Sequence, residues 1–217
     1  MNQLMDIANV LVYAAQGVVA LWGAFCVIVL WRRIAQTRFR TEEQQAEFLD
    51  QLDESLAAGD FDGAMELCDG DARAVPQLVQ LAINNREIGY NKVRALLTDR
   101  FQRDVLADFE HRLSWVNTVI KTEPMLGLYG TVLGMMAAFG KLASLEQVDP
   151  TGLAEDISFA LITTAVGLTV AIPLMICVAS INVRIRKLED LVGAGMTRFF
   201  ESFKIAHRKH VPEGQPR

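Results

Sequence analysis

Thr131 and Thr164 stand in two stretches that carry no charge, Pro124–Gly140 and Ile157–Val183. In an apolar helix a threonine hydroxyl bonds back to the carbonyl one turn earlier or lines a narrow wet path. The chemistry on offer is therefore passage of a small ion along a polar seam, or plain helix contact. Thr163 and Thr164 point about 100° apart on a helix, so only one of them faces such a seam. Register with Thr131 favours Thr164. Neither stretch holds an acid, a base or a histidine. A proton path needs a titratable relay, so in a proton channel a partner helix must bring the acid. The nearest charges in this chain are Glu155 and Asp156 at one end and Lys121 and Glu123 at the other. Asp156 and Glu123 are candidate proton-path charges or simply interfacial ones. Lys121 and Glu123, two residues apart, do not face each other on a helix.

The elements that position these residues read as membrane helices. At ~1.5 Å of rise per residue, Ile157–Val183 is about 40 Å long and Pro124–Gly140 about 25 Å, against a bilayer core of roughly 30 Å. A third uncharged run, Ile7–Trp31, lies near the N-terminus, with Trp22 and Trp31 as interfacial or partner-facing aromatics. Gly127, Thr131, Gly134 and Ala138 share one helix face, as do Ala160, Thr164, Gly167 (or Leu168) and Ala171. Such small faces let helices approach closely, and Gly130-x-x-x-Gly134 adds a packing signal. Gly127, Gly130, Gly134, Gly167 and Pro173 are the candidate helix-packing positions.

Charge sets the expected orientation. Arg32, Arg33, Arg38 and Arg40 follow the first run, whereas only Asp6 precedes it, and Arg184, Arg186 and Lys187 follow the last. The positive-inside rule places these basic clusters in the cytoplasm. Lys141–Glu155, with Glu146, Asp149 and Glu155 against one lysine, suits an external loop. Met1–Asn9 has no basic residue and the run after it is too long for a signal-peptide core, so a retained anchor is expected. The fold expected is an all-α membrane protein, three transmembrane helices with long helices extending into the cytoplasm. Its parts are a periplasmic N-terminus and first span (1–31), a cytoplasmic helical insertion (32–114), a second span (115–140), a periplasmic loop (141–156), a third span (157–183) and a cytoplasmic C-terminal helix and tail (184–217).

Within the insertion, Thr41-Glu-Glu-Gln44 predicts a capped helix to about Ala57, and Asp60 a short helix over Phe61–Cys68. Another helix is expected over Pro76–Arg86. From Tyr90, apolar residues Val93, Leu97, Phe101, Val105, Phe109, Leu113, Val116 and Ile120 recur at helical spacing, predicting one continuous helix into the membrane. Ile185, Leu188, Val192, Met196, Phe199 and Phe203 extend the last helix, and His210–Arg217 reads as a disordered tail.

Composition narrows the function. The chain is 51% hydrophobic and 22% charged, with a positive mean hydropathy, as in a membrane protein with a sizeable soluble part. A net charge of −5 without a basic, aromatic-laced stripe gives no nucleic-acid footprint. Cys26, Cys68 and Cys177 share no metal or redox spacing, and His111, His207 and His210 lie outside the spans. No cofactor and no enzyme constellation is indicated.

Pro124-Met-Leu-Gly-Leu-Tyr-Gly-Thr-Val-Leu-Gly-Met-Met-Ala-Ala-Phe139 closely resembles the second-span signature of the ExbB/TolQ/MotA proton-channel family, and Ala160-Leu-Ile-Thr-Thr-Ala-Val-Gly-Leu-Thr-Val-Ala-Ile-Pro173 resembles its third. Layout agrees over about residues 8–205, and three spans with the N-terminus outside fit the ExbB/TolQ branch. The resemblance implies a homo-oligomer, a pentamer, around ExbD/TolR-like single-span subunits whose membrane aspartate carries the proton past Thr131 and Thr164. Proton flow would drive a TonB-like or TolA-like partner in TonB-dependent transport or Tol-type envelope maintenance, from the bacterial inner membrane. A sodium-driven stator and a non-conducting scaffold ring are the alternatives. Two positions depart from the pattern. The family's glutamate five residues before the pore threonine is Phe159 here, with Asp156 one turn earlier, and Glu123 stands where a small apolar residue is usual.

Overall fold

The computed structural model describes residues 2–144 and 150–210. The side chains of Asp6, His207 and His210, the charges Glu146 and Asp149, and the tail after His210 lie outside the described residues. Of the described residues 92% are helical, and none lies in a strand. In order come α1 (Asn2–Thr37), α2 (Glu42–Ala58), α3 (Phe61–Glu66), α4 (Ala74–Asn84), a 3₁₀ turn (Arg86–Ile88), α5 (Tyr90–Arg100), a π-helical segment (Phe101–Leu106), α6 (Ala107–Ser144) and α7 (Pro150–His210). Three of the helical stretches are long and apolar enough to cross a membrane. The chain divides into two units, residues 1–30 with 112–181 and residues 31–111 with 182–217.

The first unit is a three-helix bundle with its polarity reversed relative to a soluble protein. Its interior is narrow and made of modest or small side chains, among them Val12, Val116, Val119, Ala138, Ala160, Ala171 and Leu174. Its large apolar residues point outward, as with Leu21 at 74% exposure, Met125 at 68% and Ile176 at 65%. Such a surface is untenable in water and ordinary against lipid tails or other membrane helices. Helix occupies most of the expected connector: α6 runs to Ser144, and α7 opens at Pro150, whose missing N–H and fixed φ suit a first helical position.

The second unit is a compact helical domain with its own apolar core. Leu52, Leu56, Val79, Ile83, Val93 and Leu97 join Leu188, Phe199 and Phe203 of α7 in a core from which water is shut out. Thr41 caps α2 by accepting from the N–H of Gln44, and Asp60 caps α3 by accepting from the N–H of Gly63 at 2.9 Å. Gly59 ends α2 with φ 78°, the left-handed conformation that favours glycine. Gln45 is buried and donates to the carbonyl of Leu191 at 2.7 Å, while Arg198 of α7 bonds Asp50 and Asp53 of α2. The Arg184 guanidinium lies 3.8 Å from the centre of the Trp31 ring, a cation–π contact.

The expected continuous helix runs from Tyr90 to Ala143, with a π segment as a widened turn inside it, and the spacing explains why. Val93, Leu97, Phe101, Val105 and Phe109 recur every four residues, whereas an α-helix repeats at 3.6. Each step therefore drifts by about 40°. A wider π turn takes up that drift: Val93 and Leu97 are buried before it and Phe109 and Leu113 after it, while no residue within it is.

Cys68, 1% exposed, sits just past α3 in this unit. Burial pushes its thiol up to about 12, and the Asp71 carboxylate adds to the effect. The thiolate is the reactive form, so at pH 8 iodoacetamide should modify Cys68 at least about a hundredfold more slowly in the folded chain than after denaturation. Mass spectrometry of the labelled peptide checks this, and equal rates would contradict the buried placement.

Candidate functional site

Close approach of α6 and α7 builds the site. A Cβ added to Gly127 would lie 2.8 Å from the Cα of Thr164 and 2.9 Å from the carbonyl oxygen of Thr163. One added to Gly130 would meet the Thr163 side chain at 2.5 Å, and one on Gly134 the Cβ of Ala160 at 2.8 Å. Three glycines, each about a turn from the next, thus hold the backbones nearer than any side chain would permit. Gly167 performs the same service on α7, where a Cβ would stand 2.5 Å from the carbonyl oxygen of Glu123. Pro173 lies inside α7 and is exposed.

This proximity brings Thr131 and Thr164 together, with their hydroxyl oxygens 2.6 Å apart. Thr131 Oγ1 is also 3.2 Å from the carbonyl oxygen of Gly127 and 3.1 Å from that of Ala160. A hydroxyl has one proton to give. One consistent assignment has Thr164 donating to Thr131 and Thr131 donating to a carbonyl, a short chain of oxygens crossing from one helix to the other. Both residues are only partly buried, so the chain reaches the bundle surface. Thr163 differs in kind. Its side chain is fully buried and its hydroxyl donates within reach of the carbonyls of Ala160 at 2.9 Å and Gly127 at 3.3 Å, which makes it part of the helix contact.

The two candidate charges occupy different settings. Asp156 is paired, with the Lys141 ammonium 2.7 and 3.0 Å from its two oxygens. Glu123 is not at a surface: it is 0% exposed, and neither carboxylate oxygen has a hydrogen-bond partner. Its neighbourhood includes Gln16, 1% exposed, which donates to the carbonyl of Thr163 at 2.9 Å and whose own Oε1 is unpartnered. Gln16 escaped the sequence reading. Its signal was a single amide in the uncharged run Ile7–Trp31, a residue type that bonds across helices in membranes. Phe159 meets Tyr13 of α1 edge-on, with ring centroids 5.1 Å apart. Among the described residues no group of three or more His, Cys, Asp or Glu could hold a metal ion.

Comparison with known proteins places this geometry in context. A family model described as the MotA/TolQ/ExbB proton channel family matches residues 73–193. The Tol-Pal system protein TolQ of Pseudomonas aeruginosa is 40% identical over 100 residues, covering 46% of this chain and 42% of its own length. TolQ of Haemophilus influenzae is 34% identical over 105 residues, covering 48% and 44%. A putative biopolymer transport protein, an ExbB homolog of Methanothermobacter thermautotrophicus, is 30% identical over 160 residues, covering 72% and 55%. The chain spans about half the length of the curated relatives it matches.

Proposed function

The chain belongs to the MotA/TolQ/ExbB proton channel family, and from that premise we propose that it is the channel-forming subunit of a proton-driven inner-membrane motor of ExbB/TolQ type. The observation that carries the proposal is the hydroxyl pair of Thr131 and Thr164, 2.6 Å apart, joined across two helices and reaching the surface of a bundle that turns large apolar residues such as Leu21, Met125 and Ile176 outward. In this reading several copies, a pentamer, set their second and third spans around single-span ExbD/TolR-like subunits. The partner's membrane aspartate brings the proton, and the Thr131–Thr164 pairs line its path. The N-terminus is periplasmic and the basic ends of the spans are cytoplasmic. Each proton crossing 100 mV releases ~2.3 kcal/mol, so reaching a TonB-like or TolA-like protein takes several protons per stroke.

Co-expression with a single-span partner bearing an intramembrane aspartate, followed by proton-uptake measurements on membrane vesicles, tests the proposal. Uptake should require both chains and vanish when the partner's aspartate is replaced by asparagine. Uptake that is absent from an assembled complex would instead support a non-conducting scaffold, a reading favoured by Phe159. That ring occupies the position of the family's glutamate and packs on Tyr13.

A further inference from the structure

The acid of the proposed motor comes from a partner, yet this chain buries one of its own. Glu123 is 0% exposed with both carboxylate oxygens unpartnered, and Gln16 Oε1 is a third buried oxygen without a partner. The two residues border one notch from different helices: the position of a Cβ on Gly167 is 2.5 Å from the backbone oxygen of Glu123 and 3.2 Å from Gln16 Nε2. Gln16 Nε2 already donates to the carbonyl of Thr163 at 2.9 Å, and among the described residues nothing donates to the three oxygens. Counted as groups, the site presents three acceptor oxygens and lacks a donor aimed at them. An unpaired carboxylate buried in this way is far more costly than a neutral carboxyl, which supplies an O–H donor.

We propose that Glu123 is a proton-binding site inside this chain, with Gln16 Oε1 accepting the hydrogen bond from the bound proton. One O–H···Oε1 bond satisfies the amide oxygen and half of the carboxyl. The remaining oxygen is a neutral carbonyl acceptor, the least costly group to leave without a partner. Loss of the proton would turn Gln16 Nε2 toward the carboxylate and away from the carbonyl of Thr163. Proton occupancy at Glu123 is thereby linked to the α7 backbone one residue from Thr164. Among the described residues the stretches packed around the site bring it no other charge. Residues 7–31 of α1 and 157–183 of α7 contain no acid, base or histidine, and their titratable groups are Tyr13, Cys26 and Cys177. On α6, Lys121 is exposed and points about 200° away around the helix.

Infrared spectroscopy of the full chain in phosphatidylethanolamine–phosphatidylglycerol vesicles tests this without a partner subunit or any flux. At pH 7 the wild-type chain should show the C=O stretch of a protonated carboxyl, shifted in D₂O and lost in Glu123→Gln. It should persist in Asp156→Asn. Gln16→Leu should move the band by removing the acceptor. Glu123→Gln presents an N–H donor to Gln16 Oε1 in place of the O–H, so its thermal midpoint should match wild type and certify the fold. The proposal is overturned if no such band exists, if it survives in Glu123→Gln, or if sodium at constant pH removes it and shows a metal cation to be the true ligand. An unmoved band in Gln16→Leu would overturn the role of the amide.

Discussion

Thr164→Val should lower proton uptake about tenfold or more while the complex still assembles. Valine keeps the shape of threonine and removes only the hydroxyl, so the α6–α7 contact loses no volume. What disappears is one end of the oxygen pair, whose members stand 2.6 Å apart. Thr131 keeps its own carbonyl acceptors, on Gly127 and Ala160, so no buried polar group is orphaned by the change. A tenfold loss corresponds to about 1.4 kcal/mol on the barrier, the scale of one hydrogen bond. Thr131→Val should act in the same direction. The double variant should lose less than the product of the two, because the residues form one coupled pair. Thr163→Val is the contrast: that hydroxyl is fully buried against carbonyls, so stability should fall and uptake per assembled complex should not. Proton uptake by vesicles holding the partner subunit, normalised to assembled complex, reads all four. Undiminished uptake in Thr164→Val would remove the hydroxyl pair from the path.

Features set by neighbours in sequence were legible from residues alone. The apolar runs specified three membrane-length helices, Thr41 and Asp60 marked two helix starts, and a face of glycines and threonines readable in the sequence lies where α6 and α7 approach. The drift in the repeat from Val93 to Phe109 was also present in the sequence, but spacing by four looks helical until its excess over 3.6 is summed across several turns. Features set by a distant helix were not legible. Nothing local to Glu123 distinguishes an interfacial charge from a buried one. Its setting depends on the absence of a side chain at Gly167 and on Gln16, which α1 contributes from the far end of the chain. Phe159 likewise was a departure without a reason until Tyr13 supplied its packing partner. Three apolar helices can be recognised one at a time; which of their polar residues meet is decided only when they pack.

Gly127→Leu should damage the bundle severely, and the reason is what its Cβ would strike. The nearest atoms are backbone: the Cα of Thr164 at 2.8 Å and the carbonyl of Thr163 at 2.9 Å. A backbone cannot turn aside as a rotamer can, so α6 and α7 must separate. Even Gly127→Ala should cost about 1–3 kcal/mol, the usual range for overpacking. Gly130→Ala would strike the Thr163 hydroxyl at 2.5 Å and its Cβ at 2.8 Å, and since the backbone fixes a Cβ it should cost a similar amount. Gly17→Ala, whose new Cβ meets nothing within 4 Å, should be silent and controls for the loss of glycine itself. Separation would also part Thr131 from Thr164, so Gly127→Leu should abolish uptake together with the native oligomer, unlike the threonine variants. Thermal unfolding midpoints in detergent and oligomer size by light scattering check the series. Loss at Gly127 and Gly130 with none at Gly17 follows from fixed atoms beside the first two and open space beside the third. A Gly127→Leu protein with unchanged midpoint and size would show that the helices do not pack this closely. The hydroxyl pair would then lose the contact that holds it together, because its 2.6 Å separation lasts only while α6 and α7 stay at this spacing.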